Sequence, residues 1–257
     1  MSTLRCALVT GAAQGIGRAI VDALAADGWA IAACDRDERV LQVASELRAA
    51  GANATGFVFD VSDEVAGRAA HAEAERDLGP IDAVVANAAV VNQIAPADRL
   101  SPDGWRREIE VNLTGAFLTI QPALAGMRER GAGRIVAMSS TSATEGLRGQ
   151  VAYTASKAGL LGMVKTLAAE LAPYGVTANA VLPGMVDTEK VLSMPESVRE
   201  RTLAHVPMGR FADLSEIAAV VAFICSPAAS YLTGAWIPVD GGISLANLTL
   251  GSDRPRS

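Results

Sequence analysis

Short apolar runs alternate along this chain with longer stretches of helical period. Residues 5–10 (RCALVT) form the first run, and Gly11 closes it. A short apolar run bounded by a turn residue reads as a buried strand. Apolar residues then recur at helical spacing from Ile16 to about Gly28. The same reading places strands at 30–35, 55–60, 83–87, 133–138, 176–182 and 236–239. Helices are expected over 38–50, from near Asp63 to a break at Leu78-Gly79-Pro80, over 102–130, over 151–173 and over 213–225. Ser101-Pro102-Asp103 has the composition of a helix start, and Asp213-Leu214-Ser215-Glu216 that of a capping box. Seven short strands alternating with helices predict one doubly wound parallel α/β sheet. Residues 185–208 lack strand periodicity and read as a lid of one or two short helices. No Pro/Gly/Ser-rich linker divides the chain, so residues 1–257 are expected to form a single domain, with 252–257 frayed.

Composition narrows the classes. Half of the 257 residues are hydrophobic and 19% are charged, enough for a large core and against disorder. The net charge of −6, with no basic cluster, argues against nucleic acid as a partner. The longest apolar runs, such as 217–225, fall far short of the roughly 20 residues of a membrane span. The N-terminal apolar run reads as a strand, not a signal peptide. Cys6, Cys34 and Cys225 all lie in apolar segments, an odd set that suggests free thiols in a reducing, cytoplasmic compartment. Their spacing fits no metal site. His71, in a charged helical stretch, is expected on the solvated surface, and His205, in the lid, to be structural.

The chemistry concentrates between Ser140 and Lys157. Tyr153 and Lys157 are four apart, so on a helix they share one face. A phenol ionises near pH ~10, and a cation one turn away favours the phenolate. Such a pair would serve as a general acid/base near neutrality. Ser140 follows a predicted strand and precedes a loop, where its hydroxyl could grip the same substrate oxygen. Alone, this tyrosine–lysine pair reads far more readily as an ordinary half-exposed helix face. Thr10-Gly11-Ala12-Ala13-Gln14-Gly15-Ile16-Gly17 joins the first strand to the first helix. Gly11 allows a tight turn, Gly15 a close backbone approach to a pyrophosphate, and Gly17 close packing of helix on strand. The helix N-terminus would then meet the phosphates. The bland reading is a plain tight turn. Asp35 ends the second strand eighteen residues past Gly17, where a carboxylate accepts hydrogen bonds from ribose hydroxyls and repels a 2′-phosphate. It favours NAD over NADP, although Arg36 blurs this, and a surface helix cap is the alternative. Asp60 and Val61 could touch adenine, or Asp60 could cap the next helix. Asn112 reads as a core or exposed amide when taken alone.

Taken in order, these residues resemble the short-chain dehydrogenase/reductase family, from Arg5 to about Ser244. The glycine motif above, Asp60-Val61, Asn87-Ala88, Asn112, Ser140, Tyr153-Thr154-Ala155-Ser156-Lys157, Asn179, Pro183-Gly184 and Asp240-Gly241-Gly242 carry the resemblance. It implies a single-domain Rossmann fold and hydride transfer between NAD(H) and a secondary alcohol or ketone. Tyr153 would be the acid/base, and Lys157 would lower its pKa and bind the nicotinamide ribose. Ser140 would polarise the carbonyl, and Asn112 would hold a water that links Lys157 to solvent. Gly11, Gln14, Gly15, Ile16, Gly17, Asp35, Asp60, Val61, Asn87 and Ala88 would hold the dinucleotide. Pro183, Gly184, Val186 and Thr188 would flank the nicotinamide. A homotetramer is implied, with the two long helices pairing across one interface. Ala89 departs from the family's usual glycine and puts the local loop shape in doubt. Tyr174 stands where carrier-protein ketoreductases often carry a basic residue. With Asp35, it counts against the rival reading, an NADPH-dependent 3-oxoacyl-thioester ketoreductase. Val91, Leu147, Met185, Val191, Leu192 and Met194 suggest a small to medium, largely apolar substrate. A nucleotide-sensing protein without catalysis is a further alternative.

Overall fold

A computed structural model describes residues 5–245, so the expected frayed tail lies outside the described residues. In chain order the elements are β1 (Cys6–Thr10), α1 (Gly15–Ala26), β2 (Ala30–Asp35), α2 (Arg39–Ala49), β3 (Ala54–Val58), α3 (Glu64–Leu78) and β4 (Ile81–Ala86). There follow α4 (Pro102–Ile109), α5 (Gly115–Ile120), α6 (Leu124–Arg130), β5 (Gly133–Met138), α7 (Ser142–Glu145) and α8 (Val151–Leu171). The last are β6 (Val176–Pro183), α9 (Glu189–Leu192), α10 (Glu196–Leu203), α11 (Leu214–Cys225) and β7 (Trp236–Val239). The strands form one parallel sheet in the order β3-β2-β1-β4-β5-β6-β7. The predicted fold class is therefore the observed one. Strand order reverses at β1, which pairs with β2 on one side and β4 on the other. In such sheets a crevice opens at that switch point, beyond the carboxyl ends of the strands.

The strands are apolar throughout because both faces of the sheet are covered. Ala7 and Val9 of β1 pack in one layer with Ile20, Val21 and Leu24 of α1 and Ile217 and Val221 of α11. Cys6 and Leu8 pack in the other with Ile120, Met127, Leu160 and Val164 from α5, α6 and α8. Alternation of side chains along one strand thus feeds two separate cores. Ser101 caps α4 by accepting from the Gly104 amide at 3.0 Å, and Asp213 and Glu216 form the expected capping box on α11. The segment 185–208 folds as α9 and α10, the expected pair of short helices. Val191, Val206 and Phe211 give it a small core of its own.

Four expectations need correction. The third strand stops at Val58 rather than residue 60, because the Asp60 carboxylate turns to accept from the Ser62 amide and hydroxyl. Asp60 does not cap α3; Asp63 does, accepting from the Ala66 amide at 3.0 Å. Residues 102–130 are not one regular helix. A π turn at Glu110–Thr114 inserts a residue between α4 and α5, and a 3-10 turn with Pro122, which has no N–H to give, separates α5 from α6. His71 is not solvated: it is 5% exposed on the inner face of α3, with Nε2 unpartnered among the described residues. Burial lowers its pKa, against the pull of Glu75. The inward face of α3 is mostly alanine, so the apolar stripe that would have marked it is weak.

Candidate active site

The turn from β1 to α1 is built for close approach. Gly11 and Gly15 hold left-handed backbone, at φ +70° and +57°. A Cβ on Gly17 would fall 2.0 Å from the Gly11 carbonyl oxygen, and one on Gly11 2.7 Å from the Asn87 amide nitrogen. Asn87 explains that crowding. Its side chain donates to the carbonyls of Thr10 (2.9 Å) and Gly11 (3.3 Å) and ties the end of β4 to the turn. The Thr10 hydroxyl returns the link by accepting from the Asn87 and Ala88 amides. Asp35 braces the turn from β2, accepting from the Ala13 amide and the Asp37 amide at 3.0 Å each.

These groups line one cleft of about 320 Å³ at the switch point. Gly11, Gln14, Gly15, Ile16, Gly17, Asp35, Asp60, Val61, Asn87, Ala88 and Thr188 all line it. Arg36, Val90 and Val111 line it too. Against burial, the Ser62 hydroxyl and amide, and then Arg107 at 2.6 Å, hold the Asp60 carboxyl down at about 2. Ala89 sits exposed on the cleft with no left-handed backbone, so its methyl does not distort the loop. The bare glycine cradle and the α1 N-terminus fit the pyrophosphate of a dinucleotide.

Pro183, Gly184 and Val186 do not line that cleft. The Pro183 carbonyl accepts from the Thr141 amide, and the Gly184 amide donates to Val239. Val186 is buried and bridges to Ala212. Thr188, whose hydroxyl caps α9 by accepting from the Val191 amide at 3.3 Å, is the one of the four that faces the cleft.

Ser140, Tyr153 and Lys157 meet where β5 runs out against α8. The Ser140 hydroxyl accepts from the Ser142 amide at 3.2 Å and favours ionisation of the Tyr153 phenol. The Lys157 ammonium, 3% exposed, donates to the Met138 carbonyl at 2.6 Å and stands 5.7 Å from the centre of the Tyr153 ring. The Ser139 hydroxyl donates to the Lys157 carbonyl, a second tie between strand and helix. The expectation that Lys157 lowers the phenol's pKa is not met. Burial raises Tyr153 above its usual value, the Ser140 hydroxyl opposes this, and the charge of Glu108 adds to it. Burial also brings Lys157 down to about 8. Desolvation is the dominant influence on both groups.

Asn112 lies in the π turn and is fully buried. Its side chain accepts from the Val90 amide (2.7 Å) and donates to the Val90 carbonyl (2.9 Å) and the Ser156 hydroxyl (3.1 Å). It clamps the loop after β4 to α8 and makes no side-chain bond to Lys157. One residue escaped the sequence reading. Glu108, four positions before Asn112, is 1% exposed and accepts from the Asn92 (2.7 Å) and Gln93 (3.1 Å) amides. No local pattern marks it, since its partners lie 16 and 15 residues upstream.

The thiols of Cys6, Cys34 and Cys225 are buried and unpaired, and burial pushes Cys6 and Cys225 up to about 12. Among the described residues no three metal-ligating side chains cluster, and no helix is long and apolar enough to cross a membrane.

Comparison with known proteins agrees with this geometry. A family model described as enoyl-(acyl carrier protein) reductase matches residues 11–244. Acetoacetyl-CoA reductase of Rhizobium meliloti is 42% identical over 241 residues, covering 93% of this chain and 98% of that one. Cis-4-hydroxycyclohexanecarboxylate dehydrogenase of Sinomonas cyclohexanicum is 40% identical over 238 residues, covering 93% and 96%. The crystal structure of a 3-oxoacyl-[acyl-carrier protein] reductase from Brucella melitensis superposes with a TM-score of 0.90 at 34% identity, over 95% of this chain and 93% of that one. A doubly wound sheet, a glycine cradle at its switch point and a serine–tyrosine–lysine group at the end of β5 thus coincide with relatives of nearly equal length, and the chain belongs to the short-chain dehydrogenase/reductase family of oxidoreductases.

Proposed function

We propose that this protein interconverts a secondary alcohol and a ketone, small to medium in size and largely apolar, with NAD(H). The observation that carries the reading is the convergence of Ser140, at the end of β5, with Tyr153 and the buried Lys157 of α8, beside a dinucleotide-sized cleft. The nicotinamide, when bound, supplies or accepts the hydride. In reduction, Tyr153 gives its phenolic proton to the carbonyl oxygen and Ser140 donates a hydrogen bond to the same oxygen. Oxidation runs these steps backwards. Lys157 restores the phenol's proton balance and holds the nicotinamide ribose. Asn112 would hold a water that links Lys157 to solvent. Asp60 and Val61 would flank the adenine, and Pro183, Gly184, Val186 and Thr188 the nicotinamide. Residues 185–208 would close over the substrate. Asp35 supports NAD.

A second reading, an NADPH-dependent 3-oxoacyl-thioester ketoreductase, draws support from relatives that carry that activity in their names. Arg36 lines the cleft and makes no salt bridge among the described residues, so a 2′-phosphate would find a free guanidinium. Titrating NADH and NADPH, then assaying alcohols, ketones and 3-oxoacyl thioesters with the tighter one, separates the two readings. Binding of either nucleotide without turnover of any substrate would support the non-catalytic alternative. The protein is proposed to act in the cytoplasm as a homotetramer. Trp105, Phe117 and Val151, each 40–42% exposed on α4, α5 and α8, support pairing of those helices. Light scattering at the monomer mass would reject it.

A further inference from the structure

Glu108 has no part in the machinery described above, yet it is among the most buried charged groups in the protein. It lies one helical turn before Asn112, and the two work as a pair. Asn112 fastens Val90 by both main-chain atoms, and Glu108 fastens the next amides along, Asn92 and Gln93, through Oε1 alone. The loop they hold starts at Asn87 and Ala88 in the dinucleotide cleft. It ends where the Ala95 amide donates to the Gly149 carbonyl, just before α8 and Tyr153. Glu108 therefore shapes the wall that leads from the cofactor to the reacting oxygen. An amide acceptor would hold these two N–H groups as well. What a carboxylate adds is a fixed negative charge, in a region where water does little to screen it. Oε2 takes no hydrogen bond among the described residues, and the charge is felt at the Tyr153 phenol.

We propose that Glu108 is a specificity-determining residue: it anchors the substrate-side loop and sets a negative charge near the reacting carbonyl, so that neutral ketones and esters are accepted over ketones bearing a carboxylate close by. This rests on the oxidoreductase reading above. It is compatible with either a simple ketone or a 3-oxoacyl thioester, both uncharged around the carbonyl.

Ethyl acetoacetate and acetoacetate, which share a carbon skeleton and differ by one charge, test it. kcat/KM for each is measured with the preferred nucleotide in wild type, Glu108→Gln and Glu108→Leu. Wild type should favour the ester, and Glu108→Gln should lower the ester-to-acid ratio by about tenfold or more, as loss of one poorly screened charge implies. Hydrogen exchange at residues 92 and 93 gives a readout independent of turnover. It should stay slow in Glu108→Gln, which keeps the acceptor, and quicken in Glu108→Leu. An unchanged ratio in both variants overturns the charge assignment, and unchanged exchange in Glu108→Leu overturns the anchoring. A wild type that turns over neither compound, nor any other ketone, defeats the oxidoreductase reading itself and this inference with it.

Discussion

The Lys157 ammonium donates to the main-chain carbonyl of Met138 at 2.6 Å, while the ring of Tyr153, one turn earlier on the same helix, lies 5.7 Å away. The lysine is thus anchored to the end of β5, and the side chain that favours ionisation of the phenol is Ser140. In the proposed mechanism proton transfer falls to Tyr153, with Lys157 behind it. Tyr153→Phe should cut turnover about 10³-fold, within the range of general acid–base contributions, and leave nucleotide binding nearly unchanged. Steady-state rates with a fluorescence titration of NADH check both halves. Near wild-type turnover would remove Tyr153 from the mechanism.

Lys157 should cost the fold stability. Its native pKa of about 8 lies below its ordinary 10.5, so the native state disfavours the charged form. Below pH 8 that penalty is fully present. Between pH 8 and 10.5 the unfolded chain holds the extra proton, so stability rises with pH as the penalty is relieved. Lys157→Met gives up the bond to Met138, which offsets part of the gain. At pH 7 the variant should still be more stable by about 1 kcal/mol, or roughly 2–4 °C in Tm, while losing activity. Calorimetry at pH 7 and pH 10 should show the gain shrinking at the higher pH. A less stable variant at pH 7 would contradict the account.

Much of this site could be read from the sequence because its residues sit where the chain changes state. The glycine turn, Asp35, Asn87 and Ser140 all lie at strand ends, and in a doubly wound sheet strand ends are where ligands bind. Their side chains reach the cleft or the tyrosine as expected. What stayed hidden were contacts between elements distant in sequence. Nothing local in residues 106–112 shows that Glu108 and Asn112 fasten a loop some twenty residues upstream. The alanine-rich inner face of α3 concealed His71 for a similar reason, since small residues mark burial weakly. The balance of charges at Tyr153 was misjudged because helical spacing gives proximity to Lys157 but not the depth of burial of both groups.

The glycine cradle makes a sharp contrast between two alanine substitutions. On Gly17 a Cβ would fall 2.0 Å from the Gly11 carbonyl oxygen, so the β1–α1 turn must open. Gly17→Ala should cost about 3 kcal/mol and abolish nucleotide binding. On Gly67 of α3 a Cβ would meet only the Phe59 ring at 3.5 Å, an ordinary contact. Gly67→Ala should stabilise by about 0.5–1 kcal/mol through the lower entropy of the unfolded chain, with binding unaffected. Urea unfolding and nucleotide titration of both variants give the comparison. Equal effects at the two positions would mean that the cradle is looser than described.

His71 should make stability fall on mild acidification. Burial lowers its native pKa below the ordinary 6.5. As pH drops through 6.5 the unfolded chain takes up a proton that the native state resists, so the native state loses ground. Between pH 7 and pH 5 the Tm of wild type should fall further than that of His71→Leu. Parallel curves for wild type and His71→Leu would show that the buried imidazole takes a proton without penalty.

Nucleotide choice turns on two neighbouring side chains of opposite sign. Asp35 ends β2 with both carboxylate oxygens fixed by main-chain amides, and Arg36 follows it on the same cleft wall. A held carboxylate still accepts from ribose hydroxyls but cannot swing away from a 2′-phosphate, so NADPH would meet repulsion it could not relieve. Arg36, being exposed, is free to turn to either nucleotide, and its attraction is weakened by water. The rigid acid should therefore prevail, and wild type should have the lower KM for NADH. Asp35→Ser removes the repulsion and leaves the guanidinium, which should move the NADPH-to-NADH preference by about tenfold or more towards NADPH. Adding Arg36→Ala should take back part of that gain. A wild type that already prefers NADPH would place Arg36 above Asp35 and shift the weight of the functional reading to the thioester ketoreductase.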